Sequence, residues 1–134
     1  MKNAQTIFGL IVLTAWGFLL TGCKTVSVSS FQYVGTPTYA PVPPGQIQIL
    51  RAMPERPFER LGEITAEPSA NDVSNLKIEN ALREAASKLG AEAVVITLDR
   101  VQVTGAMVSG PLFDRTVQRT TGRVIVGVAI HFTK

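Results

Sequence analysis

The 134-residue chain contains one cysteine, one histidine and one tryptophan. With Cys23 as the only thiol, no disulfide can brace the fold, and a metal site built on paired thiolates is excluded. His131 is the only imidazole, and a single histidine near the end of a hydrophobic strand is more often structural than catalytic. No glycine-rich phosphate loop follows a strand-like segment, and no carboxylate pair stands out as flanking a cleft. Basic residues outnumber acidic ones 13 to 10, but no basic run of five or more residues marks a nucleic-acid footprint, despite a pI near 9.4. These absences argue against an enzyme, against a metal or other cofactor, and against a nucleic-acid partner.

The amino-terminal stretch is rich in what the rest lacks. Lys2 gives a positive start, Ile7 to Leu20 is an apolar run interrupted only by Gly9, Thr14 and Gly17, and small residues precede a cysteine. These are the three regions of an export signal. Leu20-Thr21-Gly22-Cys23 resembles the lipobox of bacterial lipoproteins, with an apolar residue, two small ones and the cysteine. The resemblance implies removal of residues 1–22, a thioether to diacylglycerol on the Cys23 sulfur and a further acyl chain, such as palmitate, on its new amino group. Two or more acyl chains hold a protein on a membrane stably, where one is marginal. The competing reading is an uncleaved signal anchor, because the uncharged run from Asn3 to Gly22 is about 20 residues, long enough to span a bilayer. Lys24 replaces the aspartate that retains enteric-type lipoproteins in the inner membrane. By that resemblance the expected location is the periplasmic face of the outer membrane.

Residues 23–45 read as a lipidated terminus and tether. Lys24 is the only charge, and four of the eight prolines fall between Pro37 and Pro44. Fully extended, such a segment would reach on the order of 60 Å. Phe31, Tyr33 and Tyr39 are unusual in a spacer and leave open whether part of it packs on the folded domain.

Residues 46–134 form one small domain, roughly 90 residues long. Ile47 and Ile49 predict a first short strand, and Phe58 to Glu67 a second, with Gly62, Ile64 and Ala66 on one side and Glu63, Thr65 and Glu67 on the other. A helix is predicted from Val73 to Leu89, capped by Asp72 or Ser74 and stopped by Gly90. Its apolar stripe is Ile78, Leu82, Ala85 and Leu89, and the acid-first pairs Glu79 with Arg83 and Glu84 with Lys88 lie outside it. Ala93 to Val103 reads as a third strand. Arg123 to Phe132 reads as a fourth, alternating Val124, Val126, Val128, Ile130 and Phe132 with Gly127, Ala129 and His131. Gly105, Ser109, Gly110 and Pro111 mark the turn of a long hairpin. The expected class is α+β: a ββαββ antiparallel sheet with one amphipathic helix on a face.

Ala81 to Val95, reading ALREAASKLGAEAVV, resembles the helix-to-strand junction of small YbjQ-type domains, found also in the Rcs stress-sensor lipoprotein. With Leu61-Gly62-Glu63-Ile64 before it and the terminal β run after it, the likeness spans roughly Phe58 to Phe132. It implies a fold and no particular activity. Glu92 stands where those domains usually have Asn or Asp. The paired cysteines and the basic linker of the Rcs sensor are missing, so stress signalling is not implied. Some relatives are labelled metal binders, but His131 and an acylated Cys23 cannot build a site here.

Arg115, Arg119 and Arg123 share parity, so an extended strand would place them in a row about 13 Å apart. Such a row could meet anionic lipid, lipopolysaccharide or an acidic partner. The plainer reading, and the favoured one, is that arginines at a hairpin edge protect it from aggregation. Two function classes remain. One is a lipid-anchored, non-enzymatic interaction or structural module of the cell envelope, contacting an envelope protein or its own copies through a sheet edge or the arginine row. The other is a binder of a small molecule or anionic envelope polymer. An exposed strand edge favours the first, and a closed cavity beneath the helix the second.

Overall fold

Alternating apolar and polar residues build the sheet, and one amphipathic stripe covers it. The computed structural model describes residues 24–134. The apolar leader, the lipobox residues Leu20, Thr21 and Gly22, and Cys23 lie outside the described residues. In chain order the elements are β1 (Val26–Gln32), a 3-10 turn (Pro44–Gln46), β2 (Gln48–Leu50), β3 (Phe58–Pro68), α1 (Asn75–Lys88), β4 (Ala93–Ser109) and β5 (Thr116–Phe132). The five described strands form one sheet in the order β1-β3-β5-β4-β2.

The α+β class holds, with a single described helix on a sheet. Two features depart from the expected ββαββ pattern. First, the segment read as tether supplies an edge strand, with β1 antiparallel to β3 from Val26 opposite Pro68 to Gln32 opposite Gly62. Val26 and Val28 turn inward against the core while Ser27 and Ser29 face away, so the pairing follows from a period of two hidden in a Ser-rich stretch. Second, β2 pairs with β4 in parallel, so the sheet is mixed and not wholly antiparallel. The Gln48 amide donates to the Glu92 carbonyl at 3.0 Å, which brings β2 in beside the start of β4.

Helix α1 starts where Ser74 caps it, its hydroxyl accepting from the Lys77 amide at 3.4 Å. It ends at Leu89, and Gly90 takes the left-handed φ of +70° that reverses the chain. Ile78, Leu82, Ala85 and Ala86 are buried against Ile64, Ala66, Val94, Ile125 and Ala129 of the sheet. The helix therefore lies over the small-residue side of β5, where a Cβ on Gly127 would stand 2.5 Å from Val94 Cγ1. The bulkier side forms a second cluster of Ala93, Val95, Val128 and Ile130 with Leu50, Phe58 and Phe132. The Arg56 guanidinium sits 3.2 Å above the Phe132 ring. Of the two helical pairs, Glu79 and Arg83 approach to 3.6 Å. Glu84 and Lys88 are exposed and make no ion pair among the described residues.

Between β1 and β2 the chain stays on the domain. The Tyr33 amide donates to the Leu61 carbonyl at 2.9 Å, and Gly35 turns at a φ of +86°. Tyr39 stacks on His131 with ring centroids 3.8 Å apart, and its hydroxyl donates to Glu59 Oε2 at 2.9 Å. That carboxylate holds the Tyr39 phenol above its ordinary pKa.

Candidate interaction site

Strands β4 and β5 are each 17 residues long, but the core supports only about half of each. The partners end early: β3 reaches β5 no further than Ala66 opposite Ile125, and β2 leaves β4 at Val95. Beyond those points β4 and β5 continue paired only with each other, from Arg100 opposite Val124 to Ser109 opposite Thr116. This two-stranded arm has both outer edges free of the other described strands. The eight residues Thr116 to Arg123 carry it roughly 26 Å out, at about 3.3 Å per residue. Register shifts fall at Ile96/Leu98, before the arm, and at Val103/Gly105 within it, with the spare residues Thr97 and Thr104 donating their hydroxyls to the Val126 and Thr120 carbonyls.

The arm is apolar without being covered. Val101, Val103, Met107, Val108 and Val117 are all exposed, and at the apex Leu112 is 77% and Phe113 102% exposed. The apex is a tight turn in which the Asp114 amide donates to the Pro111 carbonyl at 3.0 Å, leaving Leu112 and Phe113 as its two central residues. Such positions are normally filled by Gly, Asn, Asp or Ser. Gly110 enters the turn with a φ of +109°, which a larger residue would adopt only under strain.

The three arginines do not act alike. Arg123 is committed at the base of the arm: its Nε and Nη2 donate to the two Asp99 carboxylate oxygens, both at 2.8 Å, and Nη1 donates to Asn75 Oδ1 at 2.8 Å. The fork ties both arm strands to the first turn of α1. Arg119 lies farther along β5 and is exposed, and Arg115 precedes β5 in the apical loop, also exposed. The row therefore divides into one structural clamp and two cations that make no ion pair among the described residues. The apolar apex and the bare valines went unread in the sequence. Their signals were two apolar residues inside a turn, and a β-branched run continuing past the last possible partner strand.

The clamp sets a pH dependence. Hydrogen bonds from Arg123, reinforced by its charge and that of Arg51, hold the Asp99 carboxyl below its ordinary pKa. Its contribution is complete above the unfolded value of about 3.9 and is lost as pH falls through the lower folded value. Asp99→Asn should therefore be less stable than the parent at pH 7, by up to about 1 kcal/mol for a partly exposed pair. The gap should close below about pH 4. Thermal melts followed by circular dichroism from pH 7 to 3 check this, and a gap that persists in acid would remove Asp99 as its source.

His131 lies at the opposite end of the sheet, stacked on Tyr39. Its Nδ1 is 3.7 Å from Glu92 Oε2 and makes no hydrogen bond among the described residues. Glu92 instead accepts from the Phe132 amide at 2.9 Å, a reach that gives the longer acid at this junction a role. The stacking of Tyr39 on His131 and its bond to Glu59 thus fasten the 33–45 segment to the sheet. Among the described residues no group of three His, Cys, Asp or Glu could hold a metal, and no helix is long and apolar enough to cross a membrane. No known protein family, curated protein or solved structure matches the chain.

Proposed function

We propose that the protein is a lipid-anchored, non-enzymatic contact module of the cell envelope, held through Cys23 and acting through its hairpin arm. The observation that carries this reading is the bare ribbon from Arg100 to Arg123. An isolated two-stranded hairpin is marginally stable in water, and unpaired strand edges with apolar faces invite aggregation unless something meets them. Natural sheets blunt such edges with charge, and Arg115 and Arg119 supply only a little. The alternative, a small-molecule binder, has less support, because Ile78 and Leu82 of the helix pack directly on Ile64, Val94 and Ile125 beneath.

The test is photo-crosslinking in living cells with a probe at Arg119 or at Lys88, in the parent and in Cys23→Ala. Products are expected from the arm position alone. Cys23→Ala should keep its leader and run at the larger precursor size, without lipid. Equal yields from both faces, or none, would overturn the arm as the contact element. A Cys23→Ala variant that still runs at the mature, lipidated size would overturn the lipid anchor.

A further inference from the structure

We infer that the arm's apex is a second membrane contact, seating Leu112 and Phe113 in the interface of the same phospholipid bilayer that holds the lipid on Cys23, with Arg115 and Arg119 on its anionic headgroups. The inference rests on the proposed lipid anchor and specifies what the arm meets.

The first observation is where the chain enters the fold. Lys24 is the residue after Cys23, and β1 begins two residues later at Val26. Val26 lies opposite Pro68, and Ala66 lies opposite Ile125, so the start of β1, the end of β3 and the base of the arm share one end of the sheet. Side chains hold the entry there: Lys24 pairs with Asp72, Lys77 Nζ donates to the Lys24 carbonyl, and the Thr25 amide donates to Ser69 Oγ at 3.0 Å. With β1 built into the sheet there is no long tether to hold the domain away. Acyl chains on Cys23 bring this end of the domain to the bilayer, and it is the end from which the arm projects.

The second observation is the arm's chemistry. From Arg100 to Arg123 the only acid is Asp114, against Arg100, Arg115, Arg119 and Arg123. Arg123 is taken up by Asp99, so the arm still presents a cationic surface complementary to anionic headgroups. At the apex two apolar side chains, Leu112 and Phe113, stand exposed on a turn. They suit a bilayer interface, where apolar side chains enter the acyl boundary while neighbouring arginines stay at the headgroups. Val101, Val103, Val108 and Val117 continue the apolar side toward the base, and Arg119, opposite Ala106, stands on that same side.

The experiment uses the full chain purified from membranes and reconstituted into phosphatidylethanolamine and phosphatidylglycerol vesicles containing brominated lipid. Trp16 is the only tryptophan. In a Trp16→Phe background, Phe113→Trp and, separately, Val34→Trp give single reporters whether or not the leader is removed. Val34 is 105% exposed just past β1, at the end of the sheet away from the arm. Mass spectrometry of the Cys23 peptide reads the anchor independently. The expected result is quenching of the tryptophan at 113 at least about twofold beyond that at 34, reduced when Arg115→Glu and Arg119→Glu are added. Equal quenching at both positions, with lipid present on Cys23, overturns the inference and leaves the anchor standing. A blue-shifted but unquenched tryptophan at 113 also overturns it, in favour of burial in a protein. Quenching confined to 113 without lipid on Cys23 supports the apex contact and removes the anchor.

Discussion

Leu82→Ala is expected to remove about 3–4 kcal/mol of stability, a third or more of what a domain of this size without disulfides holds. Leu82 is 1% exposed at the middle of α1, between Ile78 and Ala85 and above Ile64, Val94 and Ile125. Truncation loses the transfer free energy of the deleted carbons and leaves a gap that the sheet, held by strand pairing on both sides of β5, cannot close. Leu82→Met, which keeps the volume, should cost less than about 1.5 kcal/mol. Leu76 provides the control on the same helix: it is 66% exposed, and its truncation should change stability by no more than about 0.5 kcal/mol. Urea denaturation distinguishes these through the midpoint at constant slope. If Leu82→Ala unfolds where Leu76→Ala does, the packing of α1 on the sheet is wrong.

The helix behind that expectation was legible because every local signal agreed. A cap at Asp72 or Ser74, a stripe at a 3.6-residue period and a terminal glycine bracketed it, although the helix begins at Asn75 and not at Val73. Strand β3 was equally legible from its alternation, down to Gly62, Ile64 and Ala66 facing the core. The sheet's pairing was not legible, because it depends on partners far apart in sequence. Three residues of β2 say nothing about whether they run with or against β4. Strand β1 was hidden differently. Val26 and Val28 alternate as a half-buried strand does, but Ser27, Ser29, Ser30 and the prolines beyond give the segment a linker's composition. Its binding depends on a small residue elsewhere, Gly62, which lets its backbone approach, as Gly90 does for Tyr39 farther along the chain. The arm was half legible: Gly110 and Pro111 marked its turn, and Arg115, Arg119 and Arg123 its charge. Which arginine would be tied down depended on Asp99 and Asn75, which only the register of β4 and β5 and the seating of α1 bring together.

Gly62→Val tests the least expected part of the fold, and should destabilise the protein by about 3 kcal/mol, lowering the melting temperature by on the order of 15 °C. A Cβ at position 62 would overlap the Phe31 carbonyl oxygen, with Gln32 Cα at 3.0 Å and the Phe31 carbonyl carbon at 3.1 Å. All three are backbone atoms of β1, so no change of rotamer relieves the clash and the strand itself must move away. Val26 and Val28 then lose their packing, and the Tyr33 amide its bond to Leu61. Gly45→Ala is the matched control, since nothing lies within 4 Å of its Cβ and it should melt as the parent does. Hydrogen exchange should show protection lost across Val26–Gln32 while Ala93–Val95 stays protected. An unchanged melt would mean that β1 does not pair with β3. The same substitution bears on the membrane. Below its melting temperature Gly62→Val should behave as the sequence's composition first suggested, with a long tether between Cys23 and a free domain. Bilayer quenching of a tryptophan at 113 should then fall although the lipid is still attached, because alignment of the arm with the bilayer depends on β1 holding the entry of the chain at the base of the arm.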